Sequence, residues 1–175
     1  MKCIILAAGY ATRLYPLTLN KPKPLLEVNG QPVLEHILAK VEKVKCIDEI
    51  YIITNNRFHT HFIDWLSGYD YGKKITILND GSTTNENRLG AIADIQYVID
   101  NAKVEDDIMV LAGDNLFDFE LTDFVEYFTK ISKDLITTHV IEDKERLKRT
   151  GVIEIDNSGK VLSFEEKPQN PKSNL

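Results

Sequence analysis

The sequence contains few cysteines, no long apolar run and no excess of positive charge. Its two cysteines, Cys3 and Cys46, lie far apart, which excludes a disulfide framework and a clustered cysteine metal site. The apolar run at the N-terminus stops at Leu6, too early for a signal peptide, and no later run approaches the length of a bilayer span. These absences favour a cytoplasmic protein that has no membrane partner.

Acidic residues outnumber basic residues by 27 to 21, so the formal charge is -6. A surface that binds the phosphates of a nucleic acid needs the opposite excess, and nucleic acid is therefore not an expected partner. The length of 175 residues and the hydrophobic content of 43% are ordinary for a protein with one core. We expect a single domain over residues 1–175, in which local basic groups can still bind a small phosphate.

Short β-branched runs alternate with stretches of helical periodicity. Four apolar runs predict buried strands, and they are Cys3 to Leu6, Ile50 to Thr54, Ile75 to Leu78 and Ile108 to Leu111. Helical stripes lie between them, one through Val33, Leu34, Ile37, Leu38, Val41 and Val44 and another through Leu89, Ile92, Ile95 and Ile99. After Lys133 the pattern predicts strands at Leu135 to Val140, Gly151 to Ile155 and Val161 to Glu165.

This order of elements predicts an α/β fold. We expect a Rossmann-like, mostly parallel but mixed central sheet with helices on both faces and right-handed crossovers. In such sheets the functional loops follow the carboxyl ends of the strands.

The first predicted strand leads directly into a loop of small residues, Ala7 to Ala11. Small residues let the backbone approach a ligand, and the N–H groups of such a loop can point at phosphate oxygens. Arg13 then adds a fixed positive charge, and Lys23 follows between two prolines that limit where its ammonium points. The loop and the two cations predict a polyphosphate site. The full G-x-G-x-x-G pattern of a dinucleotide-dependent dehydrogenase is missing here.

A carboxylate, Asp114, comes shortly after the fourth predicted strand and directly after Gly113. The carboxyl end of a buried strand is the expected place for a metal-binding acid. Aspartate and glycine also favour turns for backbone reasons, so the pattern alone leaves both interpretations open.

Four stretches of the chain resemble the opening motif of the sugar nucleotidyltransferases, a family that includes glucose-1-phosphate thymidylyltransferases. They are Leu6-Ala7-Ala8-Gly9, Thr12-Arg13-Leu14, Pro16-Leu17-Thr18 and Lys23-Pro24-Leu25-Leu26. The resemblance covers essentially the whole chain. It departs from the family at Ala11, where glycine is typical, and this implies a different loop conformation or a weaker phosphate contact.

The resemblance implies roles for residues along the whole chain. Arg13 and Lys23 would contact the nucleotide phosphates, and Asp114 would hold Mg²⁺ together with a second aspartate that the family carries beyond the end of this chain. The other nucleotide-binding residues would be Leu6, Ala8, Gly9, Asn85 and Gly90. The sugar phosphate would be bound by Gly151, Glu166 and Lys167. Strand alternation would place Glu166 and Lys167 on different faces.

The implied reaction transfers a nucleotidyl group from a nucleoside triphosphate to a sugar 1-phosphate, forming a nucleotide sugar and pyrophosphate. The base and the sugar stay open, and a homo-oligomer is compatible with the sequence. Two alternatives also stay open: a cytidylyltransferase for a non-sugar alcohol phosphate, and a non-catalytic nucleotide-binding module. The second alternative arises because the chain is expected to lack the family's C-terminal part.

Overall fold

The computed structural model describes residues 1–175, which divide into two compact units, Met1–Lys130 and Ile131–Leu175. The first unit contains β1 (Lys2–Leu6), β2 (Glu27–Val28), β3 (Gln31–Pro32), α1 (Val33–Glu42), β4 (Glu49–Thr54), α2 (His59–Ser67), β5 (Lys74–Asn79), α3 (Ala91–Ala102), β6 (Ile108–Ala112) and α4, which runs over Leu121–Ile131 and ends at the boundary. The second unit contains α5 (Lys144–Leu147), β7 (Gly151–Ile155) and β8 (Val161–Glu166). Two short 3-10 turns, Thr12–Leu14 and Lys23–Leu25, lie between β1 and β2.

Four strands form one parallel sheet in the order β5-β4-β1-β6. Strand β1 lies inside it, with Ile4 opposite Tyr51 of β4 and opposite Val110 of β6. Cys3, Ile4 and Ile5 are fully buried, as expected for a parallel strand covered on both faces. The predicted α/β fold is confirmed. Antiparallel pairing is confined to β2 with β3 and to β7 with β8, and neither pair belongs to the central sheet.

Helices cover the two faces of this sheet. Cys3 and Ile5 point to one face, where residues of α1, α2 and α4 complete the larger core cluster. Ile4 points to the other face and packs with Val98 of α3. The faces are occupied by packing, so the carboxyl ends of β1, β4, β5 and β6 are left to carry the loops of the first unit.

Helix α3 buries only part of the predicted stripe: Ile95 and Ile99 pack against the core cluster on that face, but the start of the stripe does not. Ile92 is 81% exposed, whereas Asp94 and Val98 are buried. The helix begins at Ala91, so Leu89 lies before it, and the buried face is centred on Asp94 and Val98 with Ile92 to one side. The predicted apolar stripe is therefore wrong at its start, where a carboxylate is buried instead.

The predicted strand over residues 135–140 does not form. Ile136 and Val140 are 61% and 58% exposed, and the only sheet of the second unit pairs β7 with β8. A strand needs a neighbour for its backbone N–H and C=O groups, and this segment has none beside it. The unit packs instead around a small cluster of Ile141, Leu147 and Val152.

No helix in the structure combines the length and the apolar character that crossing a bilayer requires.

Candidate active site

The loop after β1 presents a row of backbone N–H groups without partners. The Ala7 N–H still donates to the Ile53 carbonyl, at 2.8 Å, but none of the N–H groups from Ala8 to Arg13 has a hydrogen-bond partner in the protein. Ala11 adopts a left-handed backbone conformation with φ 47°, which glycine reaches more easily than alanine. Successive free N–H groups around a left-handed residue are an arrangement that can bind an anion, and phosphate binding by this loop stays a prediction.

The carbonyls of this loop are held from inside the protein. Three buried side chains donate to them: Thr54 Oγ1 to the Ala7 oxygen at 3.4 Å, Asn55 Nδ2 to the Ala8 oxygen at 2.9 Å and Thr18 Oγ1 to the Ala11 oxygen at 2.8 Å. Each donor residue is fully buried. A buried polar group is stable only when bonded, so these bonds fix the loop before any ligand arrives. Sequence reasoning missed Thr54 and Asn55, although two polar residues at the end of an apolar run were a usable signal.

Gly9 lies in open space on the loop after β1. A Cβ at this position would meet no atom within 4 Å, and its φ lies outside the left-handed region. Neither packing nor backbone conformation therefore requires glycine here, and a nucleotide-binding role for Gly9 stays a prediction. Of the other two predicted nucleotide-binding positions in this stretch, Ala8 is 7% exposed, and the carbonyl of Leu6 accepts from the Gly113 N–H at 2.9 Å.

Lys23 and Asp114 meet directly. Lys23 Nζ donates to Asp114 Oδ2 at 2.9 Å, and the two side chains are 32% and 42% exposed. Gly113 makes this possible because it lies close against β1: a Cβ there would stand 3.0 Å from the Leu6 oxygen and 3.1 Å from Ile5 Cγ2. The predicted metal-binding acid and the predicted phosphate-binding lysine thus lie side by side next to the loop.

Arg13 differs from Lys23 in having no counter-charge. It lies exposed in the 3-10 turn that ends the loop, and its guanidinium has no ion pair or hydrogen bond in the protein. The sequence predicted two cations free to clamp one polyphosphate. In the structure one of them, Arg13, is free, and the other is oriented by a carboxylate.

The chemistry of this corner fits a magnesium ion on Asp114. One oxygen of Asp114 is bonded to Lys23, and Oδ1 has no partner. No group of three or more His, Cys, Asp or Glu side chains converges anywhere in the chain. Mg²⁺ is commonly held by one or two carboxylates together with substrate phosphates and water, so a single aspartate beside a phosphate loop is a suitable donor set.

The predicted nucleobase loop lies between β5 and α3 and is ordered by its own side chains. Asn87 Oδ1 accepts from the N–H groups of Thr83 and Thr84, at 3.0 and 2.9 Å, and Asn85 Oδ1 accepts from Arg88 at 2.8 Å. Gly90 has φ 91° and ψ 159°, a conformation that is essentially restricted to glycine, and precedes α3 directly. The Asn85 amide nitrogen stays available as a donor.

A cluster of buried polar side chains lies beside this loop and was not predicted from the sequence. Asp80, Ser82 and Asp94 are 8%, 4% and 5% exposed, and the Tyr10 hydroxyl nearby is buried without a hydrogen bond. Burial, followed by the negative charge of Asp80 and a hydrogen bond to it, raises the pKa of Asp94 to about 6. The available signal was an aspartate inside an apolar helical stripe.

The predicted sugar-phosphate residues lie in the second unit at the open end of the β7–β8 hairpin. Gly151 pairs with Glu166 across the two strands, and a Cβ on Gly151 would come within 2.7 Å of the Phe164 ring. Lys167 Nζ bonds to Glu166 Oε1 at 3.1 Å, and both side chains are more than half exposed. The prediction of different faces is wrong because β8 ends at Glu166 and Lys167 takes a left-handed conformation with φ 50°, which ends the strand alternation.

Known proteins resemble the chain over its full length. A family model described as Nucleotidyl transferase matches residues 2–175. The bifunctional protein GlmU of Methanocaldococcus jannaschii is 32% identical over 175 residues, which cover 100% of this chain and 38% of that protein. The chain therefore spans well under half the length of this curated relative.

Solved structures share the architecture. A sucrose complex of a Bacillus anthracis protein whose name assigns it to the glucose-1-phosphate thymidylyltransferases superposes with a TM-score of 0.80 at 31% identity, over 99% of this chain and 67% of that chain. A UDP-glucose pyrophosphorylase bound to UDP-glucose superposes with a TM-score of 0.81 at 18% identity, over 99% of this chain and 72% of that chain. The second comparison supports the fold alone.

Proposed function

The chain belongs to the nucleotidyl transferase family, and on that premise we propose that it transfers a nucleotidyl group from a nucleoside triphosphate to a sugar 1-phosphate. The observation that carries the proposal is the row of unpaired N–H groups from Ala8 to Arg13 next to the Lys23–Asp114 pair. Such a row binds phosphate oxygens, and the adjacent charges suit a reaction at phosphorus.

The proposed step is a direct displacement. An oxygen of the sugar 1-phosphate attacks the α-phosphorus and forms a new P–O bond, while the bond from the α-phosphorus to the bridging oxygen breaks and pyrophosphate leaves with that electron pair. A phosphate monoester is largely ionised near neutral pH, because its second pKa is about 6. No general base is needed, so the protein contributes alignment and neutralisation of repelling charges.

The residues of the first unit divide this work. The loop N–H groups and the exposed Arg13 guanidinium bind the triphosphate, with Gly9 leaving room for it and Asn85 and Gly90 serving the base. Asp114 orients the Lys23 ammonium before substrate arrives, so less reorganisation is needed during the reaction. Magnesium, bound by Asp114, would supply further neutralisation of phosphate charge.

The residues of the second unit would serve the acceptor. We assign Glu166 to the sugar hydroxyls, the Lys167 ammonium to the phosphate, and Gly151 to close approach of the sugar. A glutamate and a lysine bonded to each other are a suitable pair for a ligand that carries both hydroxyls and a phosphate.

The proposal also covers the cellular location, the domain organisation and the oligomeric state. We place the reaction in the cytoplasm because nucleoside triphosphates are cytoplasmic metabolites. We treat the two units as one nucleotidyltransferase domain because a single family model spans both. Whether the chain forms a homo-oligomer is measured by light scattering after size-exclusion chromatography.

Pyrophosphate release tests the function. The chain is incubated with magnesium, each of ATP, GTP, CTP, UTP and dTTP, and a panel of sugar 1-phosphates, with choline phosphate and glycerol 3-phosphate as non-sugar acceptors. Release that requires one triphosphate and one sugar 1-phosphate supports the proposal. Release only from CTP with a non-sugar acceptor would make the chain a cytidylyltransferase of the other class. Binding of a triphosphate without release under any pairing would make it a nucleotide-binding module.

A further inference from the structure

Two buried carboxyl groups lie within hydrogen-bonding reach of each other at the two ends of the predicted nucleobase loop. Asp80, directly after β5, and Asp94, in the first turn of α3, face each other in this way. Asp80 is well supplied with donors: Oδ1 accepts from the Ser82 N–H and hydroxyl, both at 2.7 Å, and Oδ2 lies 2.9 Å from the same hydroxyl. Asp94 is 95% buried and its Oδ1 has no partner at all.

These contacts decide which carboxyl carries the hydrogen. Two adjacent carboxylates in a buried site cannot both be ionised without strong repulsion. A buried charge also needs donors, which Asp80 has and Asp94 lacks. Below its pKa of about 6, Asp94 is therefore the neutral acid whose hydrogen bonds to Asp80.

The turn at Asp80 is hydrogen-bonded to the residues that support the phosphate loop, which is the loop from Ala7 to Arg13. The Asp80 N–H donates to the Thr54 carbonyl at 2.8 Å, and the Ser82 carbonyl accepts from the Asn56 N–H at 2.8 Å. The side chains of Thr54 and Asn55 hold the carbonyls of the loop itself. On the other side, the Asp94 N–H donates to the Gly90 carbonyl and so closes the first turn of α3.

We propose that Asp94 is a positioning residue for nucleotide binding, because its carboxyl hydrogen ties the first turn of α3 to the Asp80 turn that supports the phosphate loop. The residues between these two anchors, from Asp80 to Gly90, include the proposed base contacts Asn85 and Gly90. The inference rests on the proposed function for its ligand, but the tie itself is a property of the free protein. Asp94 touches no substrate in this account and acts only through Asp80.

The tie should depend on pH in one direction. The pKa of Asp94 is about 6, so the hydrogen is present below that pH and is lost as pH rises through it. Asp80 is the charged group that acts on Asp94, and the apolar Ile4, Ile53 and Val98 belong to the cluster on the same face of the sheet. Next to Asp80 lies the Tyr10 phenol, which also experiences the charges of Arg57 and Glu86. Above the pKa, two like charges meet and the Asp80–Gly90 segment loosens.

Three variants separate the tie from general packing. Asp94→Asn keeps a donor to Asp80 that does not titrate, whereas Asp94→Ala removes the donor at every pH. Asp100→Asn removes the same charge from an exposed position on the same helix and is the matched control. Amide hydrogen exchange of residues 80–90 is measured on the free chain from about pH 5 to about pH 8, corrected for the intrinsic rate. The dissociation constants of ATP, GTP, CTP, UTP and dTTP with magnesium are measured over the same range.

The expected pattern is specific. In the wild type and Asp100→Asn, protection of residues 80–90 falls as pH rises through about 6, and the best-bound triphosphate weakens roughly fivefold more than it does for Asp94→Asn. Ionisation of the triphosphate itself is common to all variants and cancels in that ratio. Asp94→Ala should show low protection at every pH.

Equal pH profiles of protection in the wild type and Asp94→Asn would overturn the tie. A normal exchange pattern with no difference in nucleotide affinity between these two would overturn the role of Asp94 in nucleotide binding. If protection follows the expected profile but no triphosphate binds at any pH, the proposed function fails while the Asp80–Asp94 tie stands.

Discussion

The two units of the chain carry their candidate residues in opposite ways. In the first unit, the phosphate loop rests on buried side chains, and Thr18, Thr54 and Asn55 are each fully buried. In the second unit, the Glu166 and Lys167 side chains lie exposed at the end of a hairpin and form an ion pair with each other. In the first unit, buried hydrogen bonds therefore fix the proposed phosphate-binding groups in place. In the second unit, the proposed sugar-phosphate groups are exposed side chains that can exchange partners at a small cost in free energy.

The largest expected effect is on catalytic activity and concerns Lys23 in the first unit. Lys23→Ala should lower the rate of pyrophosphate release by about 10² to 10³-fold, because it removes an oriented cation from the reacting phosphates. Its effect on the free energy of unfolding should stay below about 1 kcal/mol, since the ion pair with Asp114 is partly exposed. Lys21→Ala is the control, because Lys21 lies two residues before Lys23 and forms its ion pair with Glu27 instead of Asp114. Near-normal turnover in Lys23→Ala would remove this lysine from the mechanism.

The next effect concerns stability. Asn55→Ala should lower the free energy of unfolding by about 2 kcal/mol, because it leaves the Ala8 carbonyl buried without a partner and the Phe58 N–H with only its 3.3 Å bond to the Asn55 carbonyl. Asn56→Ala, at an exposed neighbour that bonds to Asn79, should stay within about 0.5 kcal/mol. Urea unfolding of both variants measures the difference. Equal losses of unfolding free energy in Asn55→Ala and Asn56→Ala would show that the buried Asn55 side chain does not stabilise the loop.

Two glycines sharpen the comparison within the first unit. Gly113→Ala should cost about 1 to 3 kcal/mol, because its Cβ would stand 3.0 Å from a backbone oxygen of β1 that cannot move easily. Gly9→Ala should leave thermal stability nearly unchanged, because its Cβ meets open space, yet it should weaken triphosphate binding. Melting curves with and without nucleotide distinguish the two. A stability loss at Gly9 would show that this glycine is structural.

The smallest expected effect lies in the second unit. Lys167→Ala should change the free energy of unfolding by less than about 0.5 kcal/mol, because its ion pair is exposed and screened by solvent. Lys172→Ala, which breaks the similar exposed pair with Glu165, is the matched control. The Michaelis constant for the sugar 1-phosphate should rise only in Lys167→Ala. A loss of stability above about 1 kcal/mol would contradict the view that this unit's charges are adjustable.

Sequence reasoning succeeded where the signal was contiguous. The four strands of the central sheet are apolar runs, and the loop of small residues follows the first of them directly. Candidate roles for Lys23 and Asp114 were predicted from their positions and from a family resemblance, but their direct contact was not, because the two residues are 91 positions apart and only the fold brings them together.

The failures have equally local causes. The segment 135–140 has the composition of a strand, but composition does not supply a neighbouring strand. The Glu166 and Lys167 side chains were expected on different faces because the end of β8 could not be located to the residue. Asp94 was overlooked because a helical stripe was identified from its apolar members, and a buried carboxyl is visible only once its partner, Asp80, is in place.

The two cysteines give the chain a practical asymmetry. Burial raises the pKa of the Cys3 thiol to about 12, which keeps it protonated and out of reach of reagents. Cys46 is exposed and lies just before β4, at the amino-terminal edge of the sheet, whereas the phosphate loop follows the carboxyl-terminal edge. A thiol-reactive fluorophore should therefore attach at one position only, remote from the loop, and label the native sequence without any engineered cysteine.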